Sequence, residues 1–193
     1  MPWKKNFDVE EAVESAMEVF WEKGFESTTI TDITEATGVQ RQSLYNAVGD
    51  KRKLFLRSLM KYDTERRRST LASIESLGTP LESIHAFFAR AIEQSTDCAN
   101  YRGCFLVNTA LRLQDHDDEV RDLVSAALED LRAFFKRLID HGKVRGEIPS
   151  TVDASATAST LLAIIFGMGV MARGSCGDDV IRQAADQALS LLT

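Results

Sequence analysis

The feature that most limits what this chain can fold into is its punctuation. Breaks fall at Gly24, Gly38, Gly49, Gly78–Pro80, Gly103, Asp115–Asp118, Gly146–Pro149 and Gly174–Gly177, and between them the apolar residues recur at helical spacing. No segment alternates with period two for long enough to form a strand. Only three prolines interrupt 193 residues. Ala, Leu, Glu and Arg are plentiful, and these residues lose little freedom in a helix. The expectation is an all-α protein of about nine helices. The first starts at Asp8, with Glu11 as capping-box partner. It carries the stripe Ala12, Val13, Ala16, Met17, Phe20 and stops at Gly24. Thr29 with Asp32 repeats the capping box before a short helix through Ile30, Ile33 and Ala36. A third short helix is predicted over 41–48. A fourth starts at Asp50 and runs past Leu54, Phe55, Leu59 and Tyr62 into 69–76. Further helices are predicted at 81–97, 102–113, 118–142, 152–173 and 178–192. The division falls near residue 50: three small helices in 1–50, and a helical bundle in 51–193.

The net charge of −6 argues against a nucleic-acid partner until it is mapped. Residues 38–68 hold nine basic and three acidic side chains, whereas 1–37 hold three basic and nine acidic. A phosphate feels the local field rather than the sum. Cys98, Cys104 and Cys176 are odd in number and fit no metal spacing, and no signal peptide precedes them. A reduced, cytoplasmic setting is the expectation. Ala154 to Ala172 carries no charge, but its first half is Ala-Ser-Ala-Thr-Ala-Ser-Thr. The truly apolar part, Leu161 to Ala172, is too short to span a bilayer. It reads as a helix buried in protein or in a subunit interface.

The stretch from Thr28 to Asn46 carries the chemistry. Two short helices meet at Gly38, with Thr34 small enough for a close approach and Ile33, Val39, Leu44 and Val48 as the apolar core between them. This is the helix-turn-helix arrangement, whose second helix lies in the DNA major groove. A helical hairpin without a DNA role has the same spacing. Lys51, Arg52 and Lys53 follow in the first turn of the fourth helix. Cations there oppose the helix dipole and make sense beside a phosphate.

These residues carry a resemblance. The run Phe20-Trp-Glu-Lys-Gly-Phe-Glu-Ser-Thr-Thr-Ile, then Asp32-Ile, Ala36-Thr-Gly-Val, Ser43-Leu-Tyr-Asn46 and Asp50-Lys51 through Leu54-Phe55 resembles the N-terminal domain of TetR-family transcriptional repressors. Gly103-Cys104-Phe-Leu-Val-Asn108-Thr-Ala, before an acidic loop, resembles a sixth-helix motif of one branch of that family. Ala47, Val48, Thr34 and Lys53 depart from its usual residues. The resemblance implies a dimeric, all-helical repressor that binds operator DNA and a small effector. It places Thr28 or Thr29, Tyr45 and Lys51 at phosphate-contacting positions and Arg41 and Gln42 where bases are read; Ser43 and Asn46 complete the expected DNA-binding set. Arg pairs bidentately with guanine and Gln with adenine.

The remaining motifs carry blander readings. Gly167-Met-Gly169-Val-Met-Ala172 matches a dinucleotide fingerprint only formally, because no strand precedes it. Leu162, Ile165, Phe166, Gly167 and Gly169 are expected at a homodimer interface, where small residues let helices approach. Phe87, Phe88, Cys104, Phe105, Asn108, Phe134 and Phe135 are expected to line an effector pocket in the bundle, with Asn108 orienting the ligand. An uncharged, largely apolar effector is expected, since Arg112 is the cation nearest Asn108 on its helix. His116, in Asp115-His-Asp-Asp118, reads as part of a solvated loop. No nucleophile elbow, phosphate loop or metal-binding histidine pair is present, so neither catalysis, a cofactor nor a metal is expected. The leading reading is a ligand-responsive regulator, acting on a near-palindromic operator as a dimer. The alternative is a small-molecule binding protein or helical enzyme with an incidental basic segment. Retardation of DNA from the chain's own upstream region at moderate salt separates the two; its absence removes the first.

Overall fold

The computed structural model describes residues 7–96, 101–174 and 177–193, so Cys98 and Cys176 fall outside the described residues. Within those residues there is helix and no strand. α1 (Val9–Lys23) starts where Asp8 accepts the amides of Glu10 and Glu11, and only this half of the expected capping box forms. It ends at Gly24, at φ 78°, a left-handed value that glycine adopts without strain. α2 (Ile30–Thr37) has both halves of the Thr29–Asp32 box. Gly38, at φ 66°, turns the chain into α3 (Arg41–Val48). Asp50 caps α4 (Lys51–Lys61) by accepting the Lys53 amide.

The next stretch departs from expectation. Tyr62–Arg68 is π-helical, and α5 (Ser69–Glu75) continues from it without a turn. Lys51 to Glu75 is therefore one rod with a widened middle. α6 (Pro80–Thr96), α7 (Phe105–Ala110), α8 (Asp118–Val144), α9 (Ala154–Arg173) and α10 (Asp178–Ser190) complete nine rods among the described residues. The helix predicted at 102–113 is much shorter. Gly103 sits at φ 72°, and residues 101–104 form no helix. Their carbonyls are held elsewhere: Trp21 Nε1 donates to Gly103 O at 2.9 Å, and Asn108 Nδ2 to Arg102 O at 2.7 Å.

Two cores form. The first joins Met17 and Phe20 of α1, Ile33, Leu44 and Val48 of the two-helix reader, and Leu54, Phe55 and Leu59 of α4. Phe105 and Leu106 of α7 and Val120 and Val124 of α8 belong to the same cluster. The second core lies between α6, the later turns of α8, α9 and α10, around Phe88, Phe135, Leu161 and Ala185. α9 is long and apolar enough in composition to cross a membrane, and only 22% of its most apolar stretch is buried by the rest of the chain. Its opening turns hold the Ser and Thr residues that argue against lipid.

Phe55 sits at the centre of the first core. Its ring lies 5.1 Å from Phe20, 4.9 Å from Phe25, 5.7 Å from Phe105 and 5.2 Å from His116. Truncating such a residue removes its transfer energy and leaves a cavity. Phe55→Ala is expected to lower unfolding free energy by about 3–5 kcal/mol, read by urea denaturation. A loss under about 1 kcal/mol would mean the rings do not pack as described.

Candidate nucleic-acid interface and internal cavity

α3 presents a polar outer face because its apolar residues, Leu44 and Val48, point inward. Arg41 and Gln42 are exposed near its start. The Arg41 guanidinium lies 5.4 Å over the Tyr45 ring, and Gln42 Nε2 donates to Asn46 Oδ1 at 3.0 Å. Both pairs are one turn apart, so they stiffen one face of the helix. Ser43 is half-buried beside them. Lys51 reaches over Phe25, its Nζ 4.4 Å from the ring centroid, which holds the cation at the start of α4.

Two residues of the expected phosphate set are placed differently. Thr28 is buried at 1% exposure and donates its hydroxyl to Gly24 O at 2.7 Å. It closes the end of α1 and has no free face for DNA. Arg52 is turned away from the cation group. Its Nε pairs with Asp117, and its Nη2 lies 2.5 Å from Glu119. These hydrogen bonds hold its pKa above the usual arginine value and the Asp117 carboxyl below the usual carboxylate range. Arg52 thus ties α4 to the start of α8. Sequence spacing alone grouped it with Lys51 and Lys53; a partner 65 residues away left no local sign. Thr29 is exposed, but its hydroxyl is spent on Asp32, accepting the Asp32 amide at 3.1 Å. Asp32 also pairs with Lys23 at 2.7 Å, and that bond is the main cause of its lowered pKa.

Behind this head lies a cavity of about 780 Å³, walled by the π-helical stretch and by α6, α7, α9 and Trp21 of α1. Of the residues expected to line it, Phe87, Cys104 and Asn108 do so. Phe88, Phe105, Phe134 and Phe135 do not: each is at most 2% exposed and packs in one of the two cores. Four aromatic rings in two adjacent pairs were legible as apolar, but adjacency on a helix sends neighbours to different faces. Asn108 spends its amide nitrogen on Arg102 O and borders the cavity. The expectation of an uncharged lining also changes. Arg66, Arg67, Arg90, Arg102 and Arg173 all reach the wall from other elements. Tyr62 and Tyr101 line it too, and burial raises the pKa of each phenol. A signal for Trp21 was present: a second aromatic beside Phe20 must serve a different face of α1.

The expected dimer residues divide. Leu162 packs at the edge of the second core. Ile165, Phe166 and Gly169 border the cavity. A Cβ on Gly169 would stand 3.2 Å from the Tyr101 hydroxyl, so this glycine clears space within its own chain. A Cβ on Gly167 would meet nothing within 4 Å.

A short two-helix reader on a small helical head, carried by a larger bundle with a cavity, defines a helix-turn-helix transcription regulator. Comparison with known proteins agrees. Residues 12–57 match the family of bacterial regulatory proteins, tetR family, and residues 80–188 match the tetracyclin repressor-like C-terminal domain. The chain belongs to the TetR family. It is 30% identical to the HTH-type transcriptional regulator YezE of Bacillus subtilis (strain 168), over 97% of each chain. It is 28% identical to the HTH-type transcriptional repressor ComR of Escherichia coli (strain K12), over 97% of this chain and 90% of that one. Among solved structures, a cysteine mutant of the TetR-family regulator CifR, complexed with 26-base-pair operator DNA, superposes with a TM-score of 0.83. That chain is 25% identical, with 97% of each covered.

Asp117 caps α8 by accepting the Val120 amide, as the reading of a loop with capping Asp residues requires, but His116 beside it is half-buried. Its ring stacks on Phe55 with an interplanar angle of 9°. Burial lowers its pKa below 6.5 and Arg121 adds to this, against Asp115, Asp117 and Glu26. The unfolded chain then takes up the proton first, so stability is full above a pH of about 6.5 and falls as pH drops through it. His116→Phe is expected to remove that step from denaturation midpoints measured between about pH 7.5 and pH 5.5. An unchanged step would assign it to another group.

Proposed function

We propose that this regulator represses transcription as a homodimer on a near-palindromic operator, and that a small, largely apolar effector in the cavity releases it. Residues 1–50, completed by the first turns of α4, read the DNA; residues 51–193 hold the effector and the partner. α3 enters the major groove, with Arg41 and Gln42 at base edges and Ser43, Tyr45, Asn46 and Lys51 at or near phosphates. Thr29 reaches phosphate through the start of α2 and not through its hydroxyl. Such a protein acts where the chromosome is, in the cytoplasm.

One observation carries the effector reading. The cavity wall includes Trp21, which belongs to α1 of the DNA-reading head, and Trp21 is hydrogen-bonded to the loop at Gly103. Arg102 beside it stacks 4.3 Å from the Trp21 ring and pairs with Glu18 of α1 at 2.5 Å. A ligand that displaces this loop moves the head. For the response to be allosteric, the ligand must bind two head positions unequally. Two heads must also stand about 34–36 Å apart to meet successive major grooves, so small rotations suffice to break register. The dimer reading rests on α9, whose uncovered apolar face, with Val170 52% exposed and open space beside Gly167, is more than one chain buries.

Arg41→Ala is expected to cost about 1–3 kcal/mol on the operator and to relax selectivity at one base pair. Lys51→Ala should weaken all DNA alike and reduce the salt slope by about one. Titrations on operator and scrambled DNA across a salt series check both, and equal losses for Arg41→Ala on the two DNAs would refute base reading. Gly167→Trp fills open space in the single chain, so it should leave the fold intact, yield monomer by sedimentation and lose operator affinity. A wild type that sediments as monomer at micromolar concentration overturns the dimer. Uptake of the uncharged dye Nile red, lost in Val107→Trp, tests the cavity; equal uptake by both proteins sinks it.

A further inference from the structure

We propose that the effector is an organic acid, an apolar body carrying one carboxylate, and that the carboxylate seats against the buried guanidinium of Arg67. This rests on the reading of the cavity as the effector site.

The argument begins with the widened helix. In a π-turn, residues five apart come into line as well as those four apart. Asp63, only 3% exposed, therefore receives two guanidinium groups: Arg67 Nε at 2.5 Å on one oxygen and Arg68 Nε at 2.8 Å on the other. Arg67 Nη2 reaches on to Asp130 at 2.8 Å. That leaves Nη1. The Arg67 side chain is 9% exposed, and Nη1 is a buried nitrogen with no hydrogen-bond partner. A guanidinium with two nitrogens satisfied and the third bare is rare in a folded protein, because buried polar groups are nearly always paired. Arg67 borders the cavity, but Nη1 itself has almost no surface open to it, so a bound molecule supplies the missing acceptor only where the wall yields around that nitrogen.

The rest of the wall decides what kind of acceptor. Arg66 and Arg102 are matched by Glu14 and Glu18 of α1. Arg90 and Arg173 have no acidic partner among the described residues. The Tyr62 and Tyr101 hydroxyls stay protonated, being buried, and already have partners in the chain, Cys104 and Phe105 for Tyr62 and Ser95 for Tyr101. Against these stands Glu93 on the exposed rim, since Glu65 is engaged by Lys61 at 2.8 Å. The wall offers donors and cations and few acceptors, which suits a group that only accepts. An ionised carboxylate is such a group, and hydrogen bonds from a guanidinium to it are stronger than neutral ones. The opposite wall is Trp21, Leu71, Phe87, Leu131, Phe166 and Met168, which calls for an apolar body. Burial alone works against the charge of Arg67, and the bonds from Asp63 and Asp130 outweigh it, so the group remains a cation ready for an anion.

The experiment uses the full chain. Nile red in the cavity is displaced by matched trios: an aromatic acid and a straight-chain acid, each beside its amide and its amine. The acids should displace the dye at concentrations lower than their amides by about tenfold or more, and the amines should be weakest. Arg67→Lys, which keeps the charge but reduces three nitrogens to one, should narrow the gap between acid and amide. Arg90→Gln, at an exposed site with no structural partner, should weaken the acids and leave the amides unchanged. Melting curves show that each variant is folded. Amides or amines that displace the dye as well as the acids overturn the carboxylate and leave the cavity reading standing. Acids that fail at millimolar concentration while the dye itself binds also overturn it. A dye that binds Val107→Trp equally well counts against the cavity reading instead. Which trio wins tells aromatic from straight-chain acid.

Discussion

Head and body in this protein are not separate folded units, because they share one core. Phe55 stands on the rod that leaves the head, yet its ring is enclosed by Phe20 and Phe25 from the head and by Phe105 and His116 from the body. Everything else depends on that arrangement. The two-helix reader has few apolar residues of its own, and Leu44 and Val48 of α3 complete their burial against the same cluster. A head seated on aromatic rings has few intermediate positions, because close-packed interiors resist gradual deformation.

The π-helical stretch is the second constraint. An α-helix through Tyr62–Arg68 would carry the same residues, but only the wider turn brings Arg67 and Arg68 together onto Asp63. Tyr62, at the start of this stretch, packs 5.0 Å from Trp21 and 5.8 Å from Phe105. One irregular turn therefore touches the shared core, the cavity and a buried ion cluster. Widened turns of this kind cost regular hydrogen bonding and recur where side chains have a task.

Much of the fold was legible because helix signals are local. The caps at Asp8, Thr29 and Asp50, and the turns at Gly24 and Gly38, are each written within four residues. The apolar faces of α1 and α3 followed from spacing. What failed depended on distant partners. Thr28 matches a DNA-facing position in sequence but is drawn inward by Gly24 O. Arg52 belongs with Lys51 by position and with Asp117 by geometry. The helix predicted at 102–113 lost its first turns to Trp21, which lies 82 residues earlier. The cavity lining was the least legible, because it gathers residues from six helical rods and the loop before α7, and no one of them carries the pattern alone. Gly169 shows the same limit: its small size was plain, but which neighbour needed the room was not.

The tie between Arg52 and the Asp117–Glu119 pair has a consequence for how this protein is weighed against DNA. Its side chains are partly open to water, so dissolved ions screen it much as they screen a phosphate contact. Raising salt thus loosens the mounting of the head while it strips the phosphates. A plot of affinity against salt will contain both effects. The number of phosphates inferred from its slope will exceed the number the protein touches, by the amount that a slackened hinge contributes.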